Sequence, residues 1–123
     1  MILANMRIQP VDNHRLEVLE LLHSIQGWVQ ASPGCSSYRV SEESRGDHAI
    51  LLSESWESDK DFREHVRSGL FDRILAALEL SRIAPEVCIH QISGSEGLEL
   101  VYRLRGITVD RIAESCSGKD IAQ

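Results

Sequence analysis

The chain has 123 residues, 42% hydrophobic and 26% charged, with a formal net charge of −6, which fits one soluble domain around a single sizeable core. No apolar run approaches the ~20 residues of a membrane span, and the N-terminus lacks the basic region and small-residue cleavage site of a signal peptide. Lys and Arg are outnumbered 13 to 19 and never cluster, so nucleic acid and anionic membrane are excluded as partners and a cytoplasmic location is expected.

Ile2 to Gln9 alternates Ile2, Ala4, Met6 and Ile8 against Leu3, Asn5, Arg7 and Gln9, a half-buried first strand closed by Pro10. Asp12 is the expected cap of a helix of about five turns, with Val18, Leu22, Ile25 and Val29 as its apolar stripe and Leu21 and Trp28 widening it. Ser32-Pro33-Gly34 ends that helix, and Cys35 to Ser41 alternates as a second strand. A polar loop from Glu42 to Asp47, containing Gly46, leads into a third strand, Ala49 to Trp56. Its Ile50, Leu52, Glu54 and Trp56 share one face and Ala49 and Leu51 the other, which predicts burial on both sides.

Ser58 to Asp61 reads as a capping box, with the Ser58 hydroxyl on the Asp61 amide and acidic groups in the first turn. The helix it starts is expected to turn Phe62 and Val66 inward, with His65 beside them. A second helical piece after Ser68-Gly69 carries Phe71, Ile74, Leu75 and Leu78, and Ala84-Pro85 stops it before a fourth strand, Glu86 to Ser93. Residues 94–123 form a C-terminal extension. Leu98 to Arg105 suits either a short helix or an edge strand, with helix preferred; Thr108 is a candidate cap for a further turn through Val109, Ile112 and Ala113; and Ser115 to Gln123 is polar and expected to fray.

Strand, helix, strand, strand, helix, strand is the order of the ferredoxin-like split βαβ fold, an α+β architecture with both helical layers on one face of a four-stranded antiparallel sheet. A central strand apolar on both sides would leave a patch on the bare face, so a homodimer is expected to cover it. In this topology the second and fourth strands lie at opposite edges, which separates Cys35 from Cys88. Cys35, Cys88 and Cys116 are odd in number and lack paired spacing, and no two of His14, His23, His48 and His90 stand at ligand spacing, so reduced thiols and no bound metal are expected.

Over residues 1 to about 93 the sequence resembles the antibiotic biosynthesis monooxygenase superfamily. The resemblance is carried by Pro33-Gly34-Cys35 followed by Tyr38-Arg39-Val40, by Glu54-Ser55-Trp56-Glu57-Ser58 with His65 nine residues after Trp56, by Phe71, and by Pro85-Glu86. It implies a dimeric α+β barrel. Haem-degrading branches share an Asn like Asn5 but have Trp where this chain has His65, and an axial His where Ile74 and Leu75 stand, so no haem is implied. Anthrone oxygenases have Asn and Tyr where this chain has Leu52 and Phe62. Quinol-type monooxygenases share Glu54, Trp56 and His65, which makes that branch the nearest.

That branch works without cofactor or metal, because deprotonating an electron-rich dihydroxyarene lets the substrate itself pass an electron to dioxygen. His65 and Trp56 are then the candidate catalytic residues, and Asn5, Tyr38, Leu52, Phe62 and Phe71 the candidate substrate-binding wall. An imidazole exchanges protons near neutral pH; the alternative is that His65 only satisfies a helix or loop carbonyl. Trp56 offers an N–H and a stacking surface, or is simply core. Glu54 orients His65 or Arg39, or is an ion at the dimer interface. Two other functions remain open: an isomerase of a small phosphorylated signalling molecule, with Arg39 and Arg63 over the pocket, and a non-catalytic dimeric binder of an aromatic or hydrophobic ligand.

Overall fold

A computed structural model describes residues 1–108. β1 (Ile2–Ile8), β2 (Cys35–Glu42), β3 (Ile50–Trp56) and β4 (Glu86–Gln91) form one antiparallel sheet in the order β2-β3-β1-β4. This is the ferredoxin-like α+β topology, with β2 and β4 at opposite edges. Four helices, α1 (Arg15–Ser24), α2 (Gln26–Gln30), α3 (Asp59–Arg67) and α4 (Phe71–Glu79), complete the first of two compact units, Met1–Gln91.

Alternation sets which side chains enter the core. Ile2, Ala4, Met6 and Ile8 of β1 and Ile50, Leu52, Glu54 and Trp56 of β3 are buried, where they meet Val18, Leu22, Ile25, Val29, Ile74 and Ala77 of the helical layer. The opposite face differs from the two-sided burial expected of β3. Leu51, Ser53 and Ser55 are only half-buried, and the neighbouring positions on β1 are Leu3, Asn5 and Arg7. With Leu3 and Leu51 as the apolar members of these two central strands on that side, the face is largely polar. Arg7 crosses it to Glu43 at 3.0 Å and reaches Glu86 at 3.4 Å.

The first helix starts later than Asp12. Pro10 bridges Ser81, the Val11 amide donates to the Leu80 carbonyl (2.9 Å), and Asp12 and left-handed Asn13 (φ 60) form a turn closed by the His14 amide on the Val11 carbonyl (3.0 Å), so the helix starts only after His14. It also breaks at Ile25 (φ −104, ψ 1), which divides α1 from α2. Trp28, on α2, is 71% exposed instead of widening the stripe. Val66 and Leu75 are likewise exposed rather than inward. Phe62 and His65 of α3, and Phe71, Ile74 and Ala77 of α4, are buried in the core with Leu78 packed half-buried against it, because each nine-residue helix has one narrow inner stripe.

Gly34 links α2 to β2 with φ +82, and a Cβ there would collide with the Asp61 carboxylate. Gly34→Ala is therefore expected to cost about 1–3 kcal/mol. Gly27→Ala, at a helical position with open space around it, is expected to be neutral or slightly stabilising; thermal melts of the two variants check the contrast.

β4 ends at Gln91, two residues short of the expected Ser93, and all six of its residues are exposed. The second unit starts at Ile92. Its helical alternative holds: α5 (Leu98–Arg105) starts at Gly97 and ends at left-handed Gly106 (φ 71). The backbone amides of Glu99 and Gly97 hold the Glu99 carboxyl below its ordinary range. The expected turn after Thr108 and the polar end from Ser115 lie outside the described residues.

Candidate functional site

Glu54 and Trp56 leave β3 two residues apart, so both side chains point to the helical side of the sheet. His65 arrives there because α3 starts at a fixed point. The Ser58 hydroxyl accepts from the Asp61 amide (3.1 Å), as the capping-box reading expects, and also lies 2.9 Å from the Asp61 carboxylate. Two turns later Phe62 and His65 are on the buried stripe, and Ser68 closes the helix through its hydroxyl on the His65 carbonyl (2.7 Å).

The three side chains form one network. Trp56 Nε1 donates to Glu54 Oε1 (3.2 Å), and His65 Nε2 lies 3.0 Å from Glu54 Oε2. The imidazole stacks on the indole with centroids 4.5 Å apart and meets the edge of Phe71 at 5.3 Å. Glu54 and Trp56 are fully buried and the His65 side chain is 1% exposed. A carboxylate in such a place is tolerated because donors replace its lost hydration. If Glu54 is ionised it only accepts, so Nε2 carries the proton that faces it and, in an uncharged ring, the lone pair falls on Nδ1. Nδ1 has no hydrogen-bond partner among the described residues.

A cavity of about 140 Å³ opens beside this network, with Trp56 and His65 in its wall together with Ser32, Pro33, Asp61, Glu64, Ser68 and Leu70. Two larger clefts hold no part of the network. One of about 400 Å³ lies between α2 and the start of β2, and one of about 350 Å³ lies on the helix-free face.

Of the expected binding residues, Phe71 joins His65 directly, and Phe62 is buried one helical turn before it. Leu52 is buried in the shared core and does not line the small cavity. Asn5 is separated from His65 by the sheet: it is exposed on the helix-free face, where Ser53 Oγ donates to its Oδ1 (2.9 Å). Tyr38 is buried with its hydroxyl committed to the Leu22 carbonyl (2.7 Å). Burial, then the Glu54 and Cys35 charges, pushes that phenol well above its ordinary range. Tyr38→Phe is accordingly expected to lower stability by about 1 kcal/mol and to leave substrate KM unchanged, as denaturation and steady-state kinetics would show.

Burial, followed by the Glu54 charge, also pushes the half-buried Cys35 thiol up to about 11. A raised thiol contributes stability below its ordinary value of 9.0 that is lost as pH rises toward about 11. Ser32, Asp61, Glu64 and Ser68 were not among the expected site residues. Asp61, Glu64 and Ser68 recur at three and four along α3 and its cap, a polar stripe beside His65 that the helical period makes visible. Among the described residues no three His, Cys, Asp or Glu side chains converge to hold a metal ion, and no helix is long and apolar enough to cross a membrane.

A family described as antibiotic biosynthesis monooxygenase matches residues 1–77. The fold is similar to that of Rv0793 from Mycobacterium tuberculosis (TM-score 0.69, 22% identity, covering 76% of this chain and 96% of that one). It is also similar to a candidate antibiotic biosynthesis monooxygenase from Deinococcus radiodurans (0.68, 20%, 77% and 95%) and to a conserved protein from Methanosarcina mazei Go1 (0.67, 23%, 73% and 90%). No curated protein matches the chain.

Proposed function

The chain belongs to the antibiotic biosynthesis monooxygenase family, and from that membership we propose a monooxygenase that oxidises a small quinol-like aromatic with dioxygen and without a cofactor. The observation that carries this reading is the buried imidazole whose Nε2 is held by Glu54, beside a cavity, while Nδ1 has no hydrogen-bond partner among the described residues. In this scheme Nδ1 takes a ring hydroxyl proton. The phenolate passes one electron to dioxygen, and the resulting radicals combine as a ring-carbon hydroperoxide. Loss of water leaves a hydroxyquinone: one oxygen atom enters the substrate, the other leaves as water, and all four electrons come from the quinol. Returning the proton from His65 to the departing oxygen closes the cycle.

Convergent polar groups around His65 favour catalysis over simple sequestration. The phosphorylated-substrate alternative finds less support, because neither Arg39 nor Arg63 lines the cavity and Arg63 is engaged by Asp59 (2.6 Å). The reading includes a homodimer joined through the helix-free faces, supported by half-buried Leu3 and Leu51 there; light scattering that returns a stable 13.8 kDa monomer contradicts it. Oxygen uptake by purified protein with quinols, with mass spectrometry of the product under labelled dioxygen, tests the chemistry. One labelled atom in the product is expected, and uptake no faster than without protein contradicts the scheme.

A further inference from the structure

We infer that the cavity beside His65 selects a single-ring dihydroxyarene that is neutral or, better, positively charged, and that Glu64 sets this charge preference. The inference rests on the reading of that cavity as the substrate site. Size is the first constraint. A cavity of about 140 Å³ is close to the ~150 Å³ known to hold one benzene, so it has room for a single ring and further atoms must extend through its open side. Charge is the second. Asp61 and Glu64 line the cavity, whereas among the described residues no Lys or Arg does, and the whole chain carries −6. Glu64 is exposed at the mouth and makes no hydrogen bond or ion pair among the described residues, while Asp61 is already held by Ser58.

The buried wall supplies the complementary features. Trp56 has its N–H committed to Glu54 and one ring face covered by the His65 imidazole, so it contributes apolar wall and no hydrogen bond to a ligand. His65 Nδ1, buried and without a hydrogen-bond partner among the described residues, is the atom left to receive a ring hydroxyl. A carboxylate on the ligand would meet two like charges with no basic group among the described cavity residues to offset them; an ammonium would meet them favourably.

Calorimetry under argon, where oxidation cannot proceed, separates binding from chemistry. The probes are dopamine, 4-methylcatechol, 3,4-dihydroxyphenylacetate and 1,4-dihydroxynaphthalene, so that the first and third differ mainly in charge and the last adds a ring. Dopamine is expected to bind about tenfold tighter than 3,4-dihydroxyphenylacetate at low salt, with 4-methylcatechol between them and the two-ring compound weaker than 4-methylcatechol. Glu64→Gln should shrink the dopamine preference several-fold and leave 4-methylcatechol affinity unchanged. If this order is seen but none of the bound ligands supports oxygen uptake, the selectivity stands and the monooxygenase reading falls. Equal or tighter binding of the anion, binding of the two-ring compound as tight as that of 4-methylcatechol, an unchanged ratio in Glu64→Gln, or no binding by any probe overturns the inference.

Discussion

His65→Ala is expected to lower turnover of a quinol by about 10²–10⁴, the usual cost of removing a positioned base. His65 is also part of the core, so the loss must be distinguished from misfolding. His65→Gln provides that distinction. Its amide N–H can still donate to Glu54 and its bulk still packs against Trp56, but it offers no basic nitrogen. Both variants should therefore fall to a similar residual rate, with Gln melting closer to the wild type than Ala. Oxygen uptake at saturating substrate, together with melting curves, checks this; a glutamine variant with wild-type turnover would make His65 a structural residue.

Glu54→Ala is expected to have the largest effect on stability of any single change in the site. It removes a carboxylate that accepts from both Trp56 and His65 and leaves two fully buried donors unpaired. Breaking a buried pair in this way typically costs about 3–5 kcal/mol. In a domain of this size that corresponds to a fall in Tm of roughly 15 °C or more. Differential scanning calorimetry measures it directly. A fall of only a few degrees would mean that water replaces the carboxylate, and hence that the site is wet.

The frame of the molecule was legible because it depends on local periods. β1 shows the expected alternation, Ser58 caps α3 as its spacing indicates, and Val18, Leu22, Ile25 and Val29 all reach the core across the break at Ile25. The misplacements have a common physical origin in contacts and breaks that no local period encodes. Asp12 fails as a cap because Val11 is tied to Leu80, and Trp28 falls at the edge of the stripe that Val18, Leu22, Ile25 and Val29 keep in register, where nothing of the core reaches it.

The site divides along the same line. Alternation places Glu54 and Trp56 on one face, and the helical period places His65 beside Phe62, but neither says that the carboxylate bridges the other two. Asn5 is the complementary case, lining the cleft on the helix-free face instead of the cavity beside His65. Its alternation already put it opposite Ala4 and Met6, and only the expectation drawn from the family resemblance grouped it with residues on the far side of the sheet.

Glu54→Gln bears most directly on the carboxylate–imidazole pair as the device that poises the base. The amide is isosteric, so the fold should persist: its carbonyl can accept from Trp56 while its NH₂ faces His65. Facing a donor, Nε2 must become the acceptor, which moves the ring proton to Nδ1 and removes the lone pair from the atom proposed to take the substrate proton. The decisive measurement is the turnover number of Glu54→Gln by oxygen uptake, alongside its melting temperature. A melt far closer to the wild type than that of Glu54→Ala, with turnover reduced by about 10²–10⁴ as in His65→Ala, is the predicted result. Wild-type turnover in a folded Glu54→Gln protein would contradict it.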